Sequence, residues 1–170
     1  MTRSSFIVRF IVLFILQLIL TKYCQIGPFI FISILPAMIL CMPTSRSTWW
    51  VLVVAFLAGL AVDGLADGPL GLNAAALLPV AALQKPLIRI FIDEDIVERH
   101  YSFSFRSNGY FKIISTLAVS VLVFILIYVI LDGAGTRNFG FNFLKVLLSA
   151  LSGIVFGIPA IEFLSPYQKK

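Results

Sequence analysis

Apolar runs of membrane length alternate with short polar breaks along the whole chain. Residues 6–20 are apolar except for Arg9 and Gln17. No charge interrupts 23–45, where Lys22 is left behind, Gly27-Pro28 suits a helix start and Pro36 falls inside the run. A kink there is tolerable in a bilayer, because neighbouring helices can satisfy freed backbone groups. Uncharged runs follow at 47–62, led by Trp49-Trp50 as interface anchors, and at 68–84, where Asp67 reads as an N-cap and Pro69 as a first-turn residue. The run 113–131 is the longest clear span, and 146–161 closes the set with Glu162 at its end. At about 20 apolar residues per crossing, the pattern predicts six transmembrane helices. Their expected spans are 4–22, 26–43, 47–65, 69–92, 111–131 and 143–164.

The outer connections, near 22–27, 64–68 and 132–142, are short. Only 85–112 has room for structure. Leu87, Ile88, Ile90 and Phe91 fall on one broad face there, with Lys85, Arg89 and Asp93 on another. That pattern predicts a fourth helix continuing into an amphipathic stretch at the membrane surface. Tyr101, Phe103 and Phe105 then alternate with Ser102, Ser104 and Arg106 before an Asn108-Gly109 turn, which reads as a surface-anchoring stripe. No small-x-small cleavage site follows the first run, so that segment is expected to stay attached as a transmembrane helix.

Composition agrees with the pattern. Of 170 residues 60% are hydrophobic and 12% charged, with a mean hydropathy of +1.03. A soluble fold of this size has too little interior for so much apolar side chain. This excludes a separate soluble domain, a nucleic-acid enzyme and a secreted disulfide scaffold, and leaves a single membrane domain over 1–170. The net charge of +5 is explained by its distribution. With the N-terminus inside, Arg3, Arg9, Arg46, Lys85, Arg89, Arg99, Arg106, Lys112, Lys169 and Lys170 are cytoplasmic, and only Lys22, Arg137 and Lys145 lie outside. Ten of 13 basic residues therefore obey the positive-inside rule, and no anionic partner is needed to account for them. Cys24 and Cys41 form no CxxC and, joined by one helix, would lie too far apart to pair.

Candidate chemistry is sparse. Asp63-Gly64-x-x-Asp67 sets two carboxylates four apart on one helix face, a spacing that could hold Mg²⁺. Lipid phosphotransferases acting on CDP-alcohols share such an Asp-Gly start, but the Ala-Arg and further spaced aspartates that follow in them are absent here. His100 has no Cys or second His at ligand spacing. No Gly-x-Ser-x-Gly elbow and no Walker-type Lys-Ser/Thr ending occurs. No catalytic residue, metal or cofactor is assigned, and the chain is not read as an enzyme.

What remains is packing. Ala55, Gly59 and Asp63 repeat every four residues on the third span, Gly71 and Ala75 on the fourth, and Ser149, Gly153 and Gly157 on the sixth. Small-xxx-small faces let helices approach closely in lipid. At least two are expected to close the chain's own bundle, leaving one for a partner helix, with the stripe on the sixth span a candidate for it. An ionisable group in a span is expensive and usually has a task. Asp63 is expected to cap a hairpin of spans three and four, accepting hydrogen bonds from Asn73 or from the amides of the 64–71 turn.

These residues carry a resemblance. Gly59-Leu60-Ala61-Val62-Asp63, followed by Leu70-Gly71 and small residues through Ala74, resembles the rod shape-determining protein MreD family, in which Gly-Leu-x-x-Asp ends one helix and Leu-Gly opens the next. The motif covers about 59–76, and Asp67 departs from the small residue expected there. Elsewhere the likeness is one of layout: length, six crossings, a proline-bearing second span and a basic loop after the fourth. The resemblance implies a non-catalytic bacterial inner-membrane scaffold of the cell-elongation complex, with both termini cytoplasmic. Its implied partners are a bitopic MreC-like protein, an MreB-like actin homologue, and a RodA-type synthase with its penicillin-binding partner. The substrate-binding subunits of energy-coupling-factor vitamin transporters share size, helix count and charge, and a similar fold is expected. They dock through an Ala-x-x-x-Ala face on the first helix, whereas residues 6–13 here contain no small pair. A shared fold would say nothing of shared function.

Overall fold

The computed structural model describes residues 3–23, 30–66, 69–92, 109–133 and 139–164. Among them the chain is all-helical, in six helices: α1 (Arg3–Tyr23), α2 (Leu35–Leu40), α3 (Thr48–Leu65), α4 (Leu72–Phe91), α5 (Tyr110–Gly133) and α6 (Phe139–Leu164). All but α2 are long and apolar enough to cross a membrane. Their bounds fall within a few residues of the expected spans, for local reasons that can be named. Ser47 caps α3 by accepting from the amide of Trp50 at 3.4 Å. Gly71 takes a left-handed φ of 91° where the chain turns into α4, a conformation that side chains with a Cβ rarely adopt.

The second expected span is the exception. A helix over 26–43 is not what forms: residues 30–34 are non-helical, and α2 is six residues long. Pro36 is the cause. Its ring nitrogen has no hydrogen to give the carbonyl of Ile32, four residues back, and the ring would clash with that carbonyl in a continuous helix. Pro36 therefore stands at the start of α2, where a missing N–H costs nothing, and does not kink a longer helix.

Five long helices surround this broken segment. Neighbours run α1–α3–α4–α5–α6 and back to α1, and α2 packs against all five. Every residue from Ile32 to Leu40 is buried. Lys112 Nζ donates to the carbonyl of Ile92 at 3.0 Å, which joins the end of α4 to the start of α5. Arg9 donates to the carbonyl of Phe163 at 3.3 Å, which joins the start of α1 to the end of α6. One end of the bundle thus gathers both described chain ends and the α4–α5 connection. The opposite end carries the α3–α4 turn and the α5–α6 connection.

The packing is inside-out in the sense that lipid permits. Leu35, Leu40, Leu77, Leu117, Phe124 and Ile161 are fully buried, while Ile11, Leu57, Ile130 and Val155 face outward. The last turns of α4 depart from the expected amphipathic split: Leu87 and Ile88 are buried in the bundle, whereas Ile90 points away from it. Asp67, Cys24, His100, Arg137 and the aromatic stripe of Tyr101, Phe103 and Phe105 lie outside the described residues.

Candidate functional site

The motif residues meet at the α3–α4 hairpin. Gly59 lies against the backbone of α4 so closely that a Cβ there would stand 2.5 Å from the Cα of Ala74. Only hydrogen fits. That approach sets Asp63, one turn later, over the first amides of α4. Its Oδ2 accepts from the amide of Gly71 at 2.9 Å, and its Oδ1 from Asn73 Nδ2 at 2.7 Å. The amide of Asn73 lies 3.2 and 3.1 Å from the two oxygens. Asp63 is 1% exposed and Asn73 4%. A helix N-terminus leaves its first amides without intrahelical acceptors and carries partial positive charge, so a carboxylate placed there is bonded and electrostatically favoured. Asp63 caps α4 from the neighbouring helix, in the manner its place in the sequence suggested. Among the described residues no group of three His, Cys, Asp or Glu is placed to hold a metal ion.

Gly59, Asp63, Gly71 and Asn73 therefore form one unit, while Ser149, Gly153 and Gly157 belong to another. The stripe on α6 does not face outward. A Cβ on Gly153 would meet Val121 Cγ1 at 2.7 Å, and one on Gly157 would meet Leu117 Cδ2 at 3.0 Å and the Cβ of Ala37 at 3.5 Å. Ser149 is fully buried. This candidate face for a partner helix is filled by α5 and the broken segment of the same chain.

Ser149 has a more particular task, which the sequence pattern did not disclose. Its Oγ accepts from the amide of Phe31 at 2.9 Å, and Ser152 Oγ donates to the carbonyl of Phe31 at 3.4 Å. On the other side of the extended stretch, Gln17 Oε1 accepts from the amide of Ile34 at 2.7 Å, while its Nε2 donates to the carbonyl of Ile32 at 3.4 Å and to Thr21 Oγ1 at 2.8 Å. In an extended chain the groups of residue 31 point one way and those of Ile32 and Ile34 the other. Side chains of α6 and α1 thus stand where neighbouring strands would stand in a sheet. Irregular backbone is tolerated at membrane depth only when protein satisfies it in this way. The carbonyl of Ile32, which Pro36 leaves without its helical donor, is the one that Gln17 serves.

The far end of α2 is closed similarly. Gln84 Nε2 lies 3.0, 3.3 and 2.9 Å from the carbonyls of Ile39, Leu40 and Met42. Phe31 anchors the near end by stacking on Tyr128 at a centroid distance of 4.1 Å, beside the Lys145–Asp132 ion pair of 2.8 Å. The sequence signal for these roles was Gln17, a polar residue inside an apolar run, and Gln84 at the end of another. Comparisons of the chain with protein-family models, curated proteins and solved structures find no match.

Proposed function

We propose that this chain is a non-catalytic scaffold of the bacterial inner membrane, of the MreD kind, organising the cell-elongation complex through helix–helix contacts. The observation that carries the reading is the hairpin. Gly59, Asp63 and Gly71, on which the resemblance rests, are the residues that seat α3 against α4, so the likeness lies in a working structural unit. The polar side chains of the interior add support: Gln17, Ser149, Ser152 and Gln84 bond to the chain's own backbone, as suits a body built to hold its shape.

In this reading the segment 30–42 makes the second of six crossings, and both termini and the 85–112 loop face the cytoplasm. A bitopic MreC-like protein and a RodA-type synthase with its penicillin-binding partner dock on outward helix faces, and an MreB-like filament lies beneath. Since the α6 stripe is filled from within, partner contacts fall on residues such as Ile11 of α1 or Val155 of α6. Depletion in a rod-shaped host should give rounded cells. Photocrosslinkers at Ile11 or Val155 should capture a bitopic partner, and one at Gly153 should not. An auxotrophy cured by medium, normal cell shape and a stoichiometric small molecule in the purified protein would replace the scaffold by the vitamin-transport reading.

A further inference from the structure

Three described cations are engaged by the chain itself. Lys145 pairs with Asp132, Lys112 bonds the carbonyl of Ile92, and Arg9 that of Phe163. Arg46, Lys85 and Arg89 differ: none has a hydrogen-bond or ion-pair partner among the described residues. All three belong to the same end of the bundle, Arg46 one residue before the cap of α3 and the other two in the last turns of α4.

Helix geometry places Lys85 and Arg89 along one seam. At 100° per residue, Leu78, Ala82, Lys85 and Arg89 form a single stripe of α4, and Trp49, Phe56 and Leu60 a single stripe of α3. Gly59 is seated on Ala74 and the two helices run antiparallel. Trp49, ten residues before Gly59, is therefore level with Gln84, ten after Ala74, and so beside Lys85. Core residues lie on the other side of the seam: Val51, Ala55 and Val62 on α3, and Leu77, Val80 and Gln84 on α4. The outer side is open, with Trp49 79%, Phe56 43% and Leu60 41% exposed, and Ala82 and Arg89 exposed with them. The result is an apolar groove ending in unpaired positive charge and an indole.

We propose that this outer α3–α4 groove is a binding site for an anionic phospholipid. The headgroup phosphate meets Lys85 and Arg89, with Arg46 adding charge at the same end, and an acyl chain lies along Phe56, Leu60, Leu78 and Ala82. Charge complementarity selects the occupant: a zwitterionic lipid fills the apolar part equally well but leaves the cations without a net counter-charge. Trp49 supplies the amphipathic ring that favours headgroup level. The inference rests on the membrane reading alone and is independent of the scaffold proposal.

The two tryptophans of the chain make the test direct. With Trp50→Phe, Trp49 is the sole reporter; with Trp49→Phe, Trp50 reports from 100° further round α3, away from α4. Each protein is placed in vesicles of phosphatidylcholine holding a minor fraction of acyl-brominated phosphatidylglycerol, or the same fraction of brominated phosphatidylcholine. Trp49 should be quenched several-fold more by brominated phosphatidylglycerol, and Trp50 equally by both. The preference should vanish in K85Q/R89Q and persist in K85R/R89K, which keeps the charge and controls for folding. Equal quenching of Trp49 by the two lipids in the protein that keeps Lys85 and Arg89 would overturn the site. A preference that survives K85Q/R89Q would equally overturn it.

Discussion

Both carboxylate oxygens of Asp63 face donors, and Asn73 has a side-chain oxygen with no partner among the described residues. That asymmetry decides what substitutions there will do. In Asp63→Asn one oxygen remains for the amides of Gly71 and Asn73. The new amide nitrogen can bond Asn73 once its side-chain amide turns over, so the loss of stability should be small. Asp63→Leu strands those donors in the interior at about 1–3 kcal/mol each and should lower the yield of folded protein sharply. Asn73→Asp sets a second carboxylate against the first and should be as damaging, while the D63N/N73D exchange should recover most of the loss. Thermal unfolding in detergent, followed by tryptophan emission, would rank the four. If D63N proves as harmful as D63L and divalent ions rescue both, the cap is a metal site instead. Gln17→Leu should cost about 2 kcal/mol or more, because the amide of Ile34 and the carbonyl of Ile32 then lose their partners together.

For whole helices, the consequence of a filled α6 stripe is that bulk there attacks the fold and not a partnership. Gly153→Leu should unfold the bundle, and the milder Gly153→Ala, destabilising by about 1–3 kcal/mol through overpacking, should be relieved by Val121→Ala. Gly59→Ala has no such remedy, since the obstructing atoms are backbone. Rescue of G59A by any single truncation on α4 would count against the close contact. The five long helices were legible because run length, hydropathy and charge breaks can be read from the local sequence alone. The hairpin was legible because Asp63 and Asn73 are polar residues inside apolar spans on either side of a short turn. α2 was not, because a buried extended stretch of Phe, Ile and Ser is as apolar as a helix. Its partners come from residues up to 121 positions away, which no local pattern exposes. Pro36 was visible but ambiguous, since the same residue either kinks a helix or begins one.

Across the whole molecule, the broken segment sets the parity of the topology. If it crosses, a reporter active only in the periplasm should be silent after Ser45, active after Leu65 and silent after Lys170; activity after Ser45 would remove the second crossing. The same segment also has a consequence for how the protein is made. Translation delivers Gln17 before residues 31–34, so one side of the extended stretch finds its partner at once. Ser149 and Ser152 arrive more than a hundred residues later. Until α6 has entered the bilayer, the amide and carbonyl of Phe31 lack their seryl partners, and the nascent bundle is held open along that side. A chain stopped after Gly133 would carry four of the five long helices and still be a substrate for membrane quality control, because α6, made after those four, is the helix that seals the second segment in place.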